Sequence, residues 1–308
     1  MKALAAVLGG AVVLAGALLS QPSPGRSLLL GRWDLTVTQN NGDSYPDWIE
    51  LTESGAAWKA HVQPRAGGAQ WATNVKIQGQ KLTLTLDRVN WDLTALNARV
   101  LEGTISRDGK VTAHIAGVPA PALNRPQPAA WTAPEPIFNG KDLTGWEGFG
   151  PGANNWVAED GVLLNKSHGQ NLKSTRTFQD FKLHIEFNCP EEGNSGIYLR
   201  GRYEVQVEYE KVDVNDAFHG MGSIYSFIAP KVQLPRKPGQ WESFDITLVG
   251  RSVTIVRDGV LTVDNQEIPS PTGGALDSHE AEPGPFYLQG DHTGGMKYRN
   301  ITVALPRE

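Results

Sequence analysis

Short runs in which hydrophobic and polar residues alternate fill much of the chain, beginning at Gly31. GRWDLTVTQ (31–39) is the first such run, and others follow as far as KVTAHIAG (110–117). Successive side chains of a β-strand point to opposite faces, so a period of two predicts strands with one buried face. Asn41-Gly42 and Asp108-Gly109 are turn signals between runs. Residues 28–125 are therefore predicted to form a small all-β domain.

The opening Gly31-x-Trp33 of this domain resembles the start of lipocalin-like β-barrels, in which the tryptophan closes one end of the barrel. A meander of short strands fits an up-and-down barrel, and a small sandwich is the alternative. The tryptophans of the domain are predicted to be mainly core residues; they are Trp33, Trp48, Trp58, Trp71 and Trp91.

A proline-rich stretch, VPAPALNRPQPAAWTAPEP, follows this domain. Proline lacks a backbone N–H and fixes φ, so this density of prolines excludes a regular helix or a central strand. Residues 126–136 are predicted to be a stiff, extended linker.

Alternating runs resume in residues 137–308. FKLHIEFN, YEVQVEYE and ESFDITLVG are examples, and Arg257-Asp258-Gly259 predicts a tight hairpin between SVTIV and VLTVDN. So many strands in one segment favour a two-sheet sandwich. The predicted fold class is all-β, with a sandwich preceded by a barrel or a smaller sandwich.

The first 21 residues have the pattern of a secretory signal peptide: Lys2, an apolar stretch, and small residues before Gln21. The mature chain is expected to be exported, periplasmic or extracellular, with no stable membrane insertion after cleavage. An uncleaved anchor is the alternative. The single cysteine, Cys189, leaves an exported chain without an internal disulfide.

Charge limits the partners of the protein. The formal net charge is -5 and the pI is near 5.8, with no run of Lys or Arg, which argues against nucleic acid. Nothing in the sequence sets an oligomeric state.

One polar strand face dominates the candidate chemistry. Alternate residues of the segment 198–208 are polar or aromatic: Tyr198, Arg200, Arg202, Glu204, Gln206 and Glu208. Glu186, on a second alternating strand, joins this face if the strands are neighbours. A solvated face with weak surface ion pairs is one interpretation. The planar, directional hydrogen bonds of Arg, Glu, Gln and Tyr favour the other, a floor that binds sugar hydroxyls.

The segment LQGDHTGG adds a second candidate group. His292 lies next to Asp291 on a glycine-rich loop, which suits an acid or base, although an ordinary surface histidine has the same pattern. No cofactor is predicted. Asp291 and the segment VDVND (212–216) could supply oxygen ligands to Ca²⁺, but a complete calcium-loop pattern is missing.

Nine motifs in series resemble the 3-keto-disaccharide (3-keto-glycoside) hydrolase domain family. They run from FNGKDLTGW through WVAEDGVL, FQDFKLHIEF, GNSGIYLRG, YEVQV, GSIY, KPGQWESFDI and VRDGVLTVDNQEI to GPFYLQGDHTGGMKYRNI, within residues 137–305. The resemblance implies a concanavalin-like jelly-roll sandwich and cleavage of glycosides already oxidised at C3. The chain departs from the pattern after YEVQV, where Glu208, Tyr209 and Glu210 stand.

The activity implied by this resemblance needs a base for the C2 proton, a donor for the enolate oxygen and an acid for the leaving oxygen. The resemblance suggests Arg200 as the cation facing the enolate, Glu204 or His292 as the base, and Glu186 as a further catalytic candidate. The expected substrate-binding residues are Tyr198, Gln206, Tyr225, Gln289 and Asp291.

Two other functions fit the same residues. Glu204 and Glu208 could form the carboxylate pair of a retaining β-glucanase, although Gln206 stands where such enzymes have an Asp. A non-catalytic carbohydrate-binding module is the second alternative, because fold does not fix function.

Overall fold

The computed structural model describes residues 27–55, 57–210 and 216–307. Every regular element in those ranges is a β-strand, which confirms the predicted all-β class. No helix in the described part of the chain is long and apolar enough to cross a membrane. The predicted signal peptide (1–21) and most of VDVND lie outside the described residues.

The N-terminal strands form one nine-stranded antiparallel sheet that curls into a barrel. In spatial order, its strands are β4 (Gln70–Trp71), β3 (Ala57–Gln63), β2 (Ser44–Ser54), β1 (Gly31–Gln39), β9 (Lys110–Pro119), β8 (Val100–Arg107), β7 (Val89–Asn97), β6 (Lys81–Leu86) and β5 (Thr73–Gln78). Strand β3, near one end of this order, contacts β5 at the other end, and this contact closes the barrel.

The inward-facing side chains of this barrel form its core. Trp33 is buried, and its indole nitrogen donates to the Leu29 carbonyl at 3.0 Å, as expected for a tryptophan that closes one end. Trp48 and Trp91 are also buried, whereas Trp71 is 60% exposed and stacks on His61. The prediction that the tryptophans are mainly core residues therefore fails for Trp71.

Residues 135–307 form two facing antiparallel sheets. The eight-stranded sheet has the order β12 (Trp156–Glu159), β13 (Val162–Asn165), β22 (Lys297–Ala304), β15 (Phe181–Asn188), β18 (Trp241–Val249), β19 (Ser252–Arg257) and β20 (Val260–Glu267), with β10 (Glu135–Pro136) paired to β22. The five-stranded sheet has the order β11 (Trp146–Phe149), β14 (Asn171–Ser174), β21 (Tyr287–Leu288), β16 (Asn194–Leu199) and β17 (Tyr203–Glu208).

A continuous hydrophobic core fills the space between these two sheets. Leu183, Ile185 and Phe187 of β15 contribute to it from one sheet, and Val205 and Val207 of β17 contribute from the other. Alternating strands that each bury one face produce this sandwich. The barrel-plus-sandwich fold class is as predicted.

The stretch predicted to be a linker also contacts the sandwich. Glu135 and Pro136 pair with β22, and the Thr132 amide donates to the Leu305 carbonyl at 2.8 Å. These contacts lie at a sheet edge, where proline is tolerated because a missing N–H breaks no internal ladder.

Candidate functional site

The register between β16 and β17 arranges the polar face. Tyr198 lies opposite Glu204, and Gly196 lies opposite Gln206. Glu204 and Gln206 are each 4% exposed, so this face is not a solvated surface. Buried polar groups need hydrogen-bond partners, and the partners of these two residues define a site.

Glu204 is the buried carboxyl at its centre. The Tyr198 hydroxyl lies 2.9 Å from Glu204 Oε2 and 2.7 Å from the Gly273 carbonyl oxygen. A Cβ atom on Gly196 would lie 2.2 Å from Glu204 Oε1, so only glycine leaves space for this carboxyl. Burial raises the pKa of Glu204 to about 8, partly offset by the Tyr198 hydroxyl and the charge of His292.

Gln206 supports the same carboxyl from the side. In the amide orientation that satisfies both of its ends, the Gln206 nitrogen donates to Glu204 Oε1 at 3.1 Å and to the Ser195 carbonyl at 3.2 Å. The Ser195 hydroxyl in turn donates to the Gln289 carbonyl at 2.8 Å, which ties β16 to the segment after β21. These bonds hold Glu204 in one position before any ligand binds.

The loop after β21 carries a His–Asp pair. His292 Nδ1 lies 3.0 Å from Asp291 Oδ1, and the Asn171 side chain donates to Asp291 Oδ2 at 3.4 Å. The hydrogen bond that His292 donates to Asp291 is the main cause of a raised pKa at His292, although burial opposes it. Burial also raises the pKa of Asp291, but the bond and charge of His292 outweigh it, and the net pKa is lowered. The pair therefore favours an imidazolium beside a carboxylate.

Tyr225 enters the site from the segment that follows the undescribed residues. Its amide donates to the Glu204 carbonyl at 3.1 Å, and Ile224 bridges to Val205, so this segment lies along the edge of β17. The segment GSIYSFIA, expected from its pattern to be a regular strand, instead forms turns and isolated bridges. Burial, followed by the charge of Glu204, raises the pKa of Tyr225, so this irregular backbone places Tyr225 near Glu204.

The barrel supplies one wall of the site through the segment 64–69, which we call the barrel segment. The Arg65 carbonyl accepts from the Gly274 amide at 2.8 Å, and the Ala69 amide donates to Ser226 Oγ at 2.8 Å. The segment is thus held between two loops of the sandwich. Gly68 is packed so closely that an added Cβ would lie 2.7 Å from His219 Nε2.

Together these elements enclose a cavity of about 230 Å³, which we call the site cavity. Its lining includes the following residues: Ala66, Gly67, Asn194, Tyr198, Glu204, Gln206, Tyr225, Gly273, Gly274, Gln289, Asp291 and His292. Seven of the nine predicted site residues belong to this set. Ala66 was not predicted, because its position against the sandwich depends on contacts between distant parts of the chain.

Two predicted catalytic residues lie elsewhere. Arg200 is fully buried at the turn between β16 and β17, where its guanidinium donates to the Tyr203 hydroxyl and the Gly250 carbonyl, each at 2.9 Å. The strand alternation ends at Leu199, and Arg200 has φ = 53°, so it does not continue the face of Tyr198. Glu186 lies on the other sheet and is bound by Arg299 and Asn300 at 2.6 and 2.7 Å. The structure does not bring either residue together with Glu204.

Glu208, the second carboxyl of the β-glucanase alternative, does not line the site cavity. Burial raises the pKa of this residue. Among the described residues, no three His, Cys, Asp or Glu side chains come together in a way that could hold a metal ion.

A buried base of raised pKa and a cationic His–Asp pair, with amide and hydroxyl donors around a small cavity, can abstract a proton and stabilise developing negative charge. A family model described as a 3-keto-alpha-glucoside-1,2-lyase-like domain matches residues 133–304. The chain belongs to this family, as the sequence motifs predicted.

Several solved structures are similar to the chain. One is a candidate glycosyl hydrolase from Parabacteroides distasonis, with 29% identity, 58% of this chain and 92% of that chain covered, and a TM-score of 0.47. A second candidate glycosyl hydrolase from this organism has 19% identity, coverages of 58% and 94%, and a TM-score of 0.47. The carbohydrate-binding module CBM66 from Bacillus subtilis has 14% identity, coverages of 52% and 94%, and a TM-score of 0.32. No curated protein matches the chain.

Proposed function

We propose that the protein cleaves 3-keto-glycosides by proton abstraction at C2, elimination of the group on C1 and addition of water. The observation that carries this proposal is Glu204, a carboxyl buried in a small cavity and placed beside a cationic His–Asp pair. A carboxylate with a pKa of about 8 is a stronger base than an exposed one, as removal of a C2 proton requires. Family membership supports the choice of substrate.

The proposed reaction is an elimination followed by the addition of water. The C2–H bond breaks, its proton goes to Glu204, and its electron pair is delocalised onto the C3 oxygen as an enolate. The enolate then expels the C1 substituent, whose oxygen takes a proton from His292, and a C1=C2 bond forms. Water adds to C1 while neutral His292 accepts its proton, and Glu204 returns a proton to C2.

The remaining polar side chains of the site cavity hold the sugar. Tyr225 and the Gln289 amide are the donors available to the enolate oxygen and the hydroxyls. Gln289 Oε1 has no partner among the described residues, which leaves it free to accept from a sugar hydroxyl. Asp291 keeps His292 oriented and charged.

The test uses the purified chain with 3-keto-trehalose and, separately, trehalose. We expect release of 3-keto-glucose only from the oxidised sugar, and in D₂O we expect deuterium at C2 of the product. Glu204→Gln should lower kcat by about 10²–10⁴-fold, the usual contribution of a general base. Mass spectrometry measures both release and isotope content.

Glu147→Gln is the matched control, because Glu147 is an exposed carboxyl on β11 of the same sheet, paired with Lys173. It should behave as wild type. Cleavage of trehalose itself would favour the two-carboxylate glycosidase, and binding without cleavage of either sugar would favour a carbohydrate-binding module. Either result would overturn the proposal.

Export is part of the same proposal, since the segment 1–21 has a signal-peptide pattern. N-terminal sequencing of the protein recovered from a secreting host should begin near residue 22. A chain that still begins at Met1 in the membrane fraction would instead support an uncleaved anchor.

A further inference from the structure

The barrel has a cavity of its own at one end, which we call the barrel-mouth cavity. Its volume is about 500 Å³, roughly twice that of the site cavity. It opens between residues 64–66 of the barrel segment and the β6–β7 hairpin. Asp47 and Trp91 lie in its wall. None of these residues belongs to the part matched by the family, which begins at residue 133.

Two buried polar atoms in this wall have no hydrogen-bond partner in the described structure. They are Asp47 Oδ1 and Trp91 Nε1, on side chains that are 4% and 2% exposed. One is a carboxyl oxygen that can accept a hydrogen bond, and the other is an N–H that can only donate. A ligand that satisfies both must offer a donor and an acceptor, as sugar hydroxyls do.

The charged side chains of the wall accommodate an uncharged ligand. Arg65, Arg107 and Asp87 line the cavity together with Asp47, and burial raises the pKa of Asp47 well above its ordinary value, so this carboxyl is mainly protonated. The Arg65 guanidinium lies over the Tyr45 ring at 5.1 Å, which holds it at the rim. A protonated Asp47 can accept a hydrogen bond at Oδ1 as well as donate one, so a hydroxyl of a neutral polyol can pair with it without placing a charge in the buried wall.

The floor of the cavity is apolar where Leu86, Val89 and Ile105 line it. A hydrocarbon chain would cover this floor but would leave Asp47 and Trp91 without partners. A sugar ring has polar hydroxyls at its edge and C–H groups on its faces, and so matches both surfaces.

The barrel-mouth cavity also adjoins the site cavity, because Ala66 lines both of them. We propose that the barrel mouth is a second binding site, which takes a neutral mono- or disaccharide through Asp47, Trp91 and Arg65. This site is independent of the reaction at Glu204, so it stands whether or not the proposed cleavage is correct.

The test follows the indole N–H signal of Trp91 in ¹H–¹⁵N spectra of the full chain while trehalose or maltose is added. The signal is assigned by its loss in Trp91→Phe. We expect a saturable shift with at least one of the two sugars. Asp47→Leu, which replaces both carboxyl oxygens by methyl groups on a side chain branched at the same atom, should weaken this binding at least tenfold. Glu204→Gln should leave it unchanged.

Trp71→Phe is the matched control, because Trp71 belongs to the same barrel but is exposed and does not line the cavity. Circular dichroism and Tm confirm that each variant is folded. An unmoved Trp91 signal, an equal shift with glycerol, or a shift with laurate and not with sugars would each overturn the proposal. So would wild-type affinity in folded Asp47→Leu.

Discussion

Burial of Glu204 destabilises its ionised form but also raises its pKa, which serves the proposed reaction. A carboxyl with so little exposure is destabilising when ionised, and its neighbours only partly compensate. The benefit is a raised pKa, which makes the ionised carboxyl a stronger base.

The pH dependence of the proposed reaction follows from this pKa. Glu204 must be ionised to accept the C2 proton, so kcat/KM should rise with pH and show an acid-limb inflection near pH 8. Because the Tyr198 hydroxyl lowers the pKa of Glu204, Tyr198→Phe should move that inflection upward by about 1 pH unit. Initial rates across pH 5–10 with a 3-keto-glucoside measure both. An inflection near the ordinary value of glutamate would contradict the assignment of Glu204 as the base.

Gly196 tests the same centre by steric means. A Cβ atom there would lie 2.2 Å from Glu204 Oε1, so Gly196→Ala should displace the carboxyl and lower kcat at least tenfold. The comparison is Gly196→Ala in a Glu204→Gln background, where the added methyl should cause little further loss. Equal losses in the two backgrounds would mean that Gly196 acts independently of Glu204.

The elements of the fold were largely predictable, because alternation is a local property. The predicted strand FKLHIEFN coincides with β15, and the hairpin between β19 and β20 turns at Asp258 and Gly259, both with positive φ. Strand β7 was missed, since the turn before it uses Asp87 and Arg88, at φ of 42° and 69°, without a glycine. Non-glycine residues seldom adopt this conformation, so a turn at these two positions is hard to predict from the sequence.

The site was only partly predictable for a related reason. Alternation placed Tyr198, Glu204 and Gln206 on one face, but could not reveal that Arg200 leaves this face once the strand ends. The barrel segment depends on contacts across more than a hundred residues, which no local pattern records. Its role emerges only from the hydrogen bonds that fix it to the sandwich.

The barrel segment gives a prediction at the scale of an element. Gly68→Val should push the segment away from His219 and Ser226 and widen the site cavity. We expect KM for a 3-keto-glucoside to rise about tenfold, equivalent to ~1.4 kcal/mol, with a smaller change in kcat. Thr94→Ala, on β7 and away from the segment, is the control. Unchanged KM in folded Gly68→Val would show that this wall does not contact the substrate.

At the scale of the whole molecule, a buried acidic pair joins the barrel to the sandwich. Asp34 of β1 lies beside Glu280, which accepts from Arg251 at 3.2 Å and from the Tyr203 hydroxyl. Burial, followed by the charge of Glu280, raises the pKa of Asp34 far above its ordinary value, while Arg251 and Arg202 oppose this shift.

This pair predicts how stability changes with pH. Above the ordinary pKa of aspartate, ~3.9, unfolded Asp34 loses its proton while folded Asp34 keeps it. The folded state then binds more protons, so the contribution of Asp34 to stability falls as pH rises towards the raised pKa. Asp34→Asn should therefore raise Tm more at pH 8 than at pH 4.5. Thermal unfolding of wild type and Asp34→Asn at each pH measures the two differences in Tm. A difference that does not change with pH would contradict the raised pKa.

The contact between Ile224 and Val205 has a further consequence for the molecule in concentrated solution. Strand β17 is the last strand of the five-stranded sheet, and an open edge with free N–H and C=O groups invites pairing with another chain. The segment that carries Tyr225 occupies part of that edge. Ile224 bridges to Val205, and the backbone N–H of Gln206 donates to the Ser223 carbonyl. The backbone that positions a site residue thereby also protects the protein from aggregation.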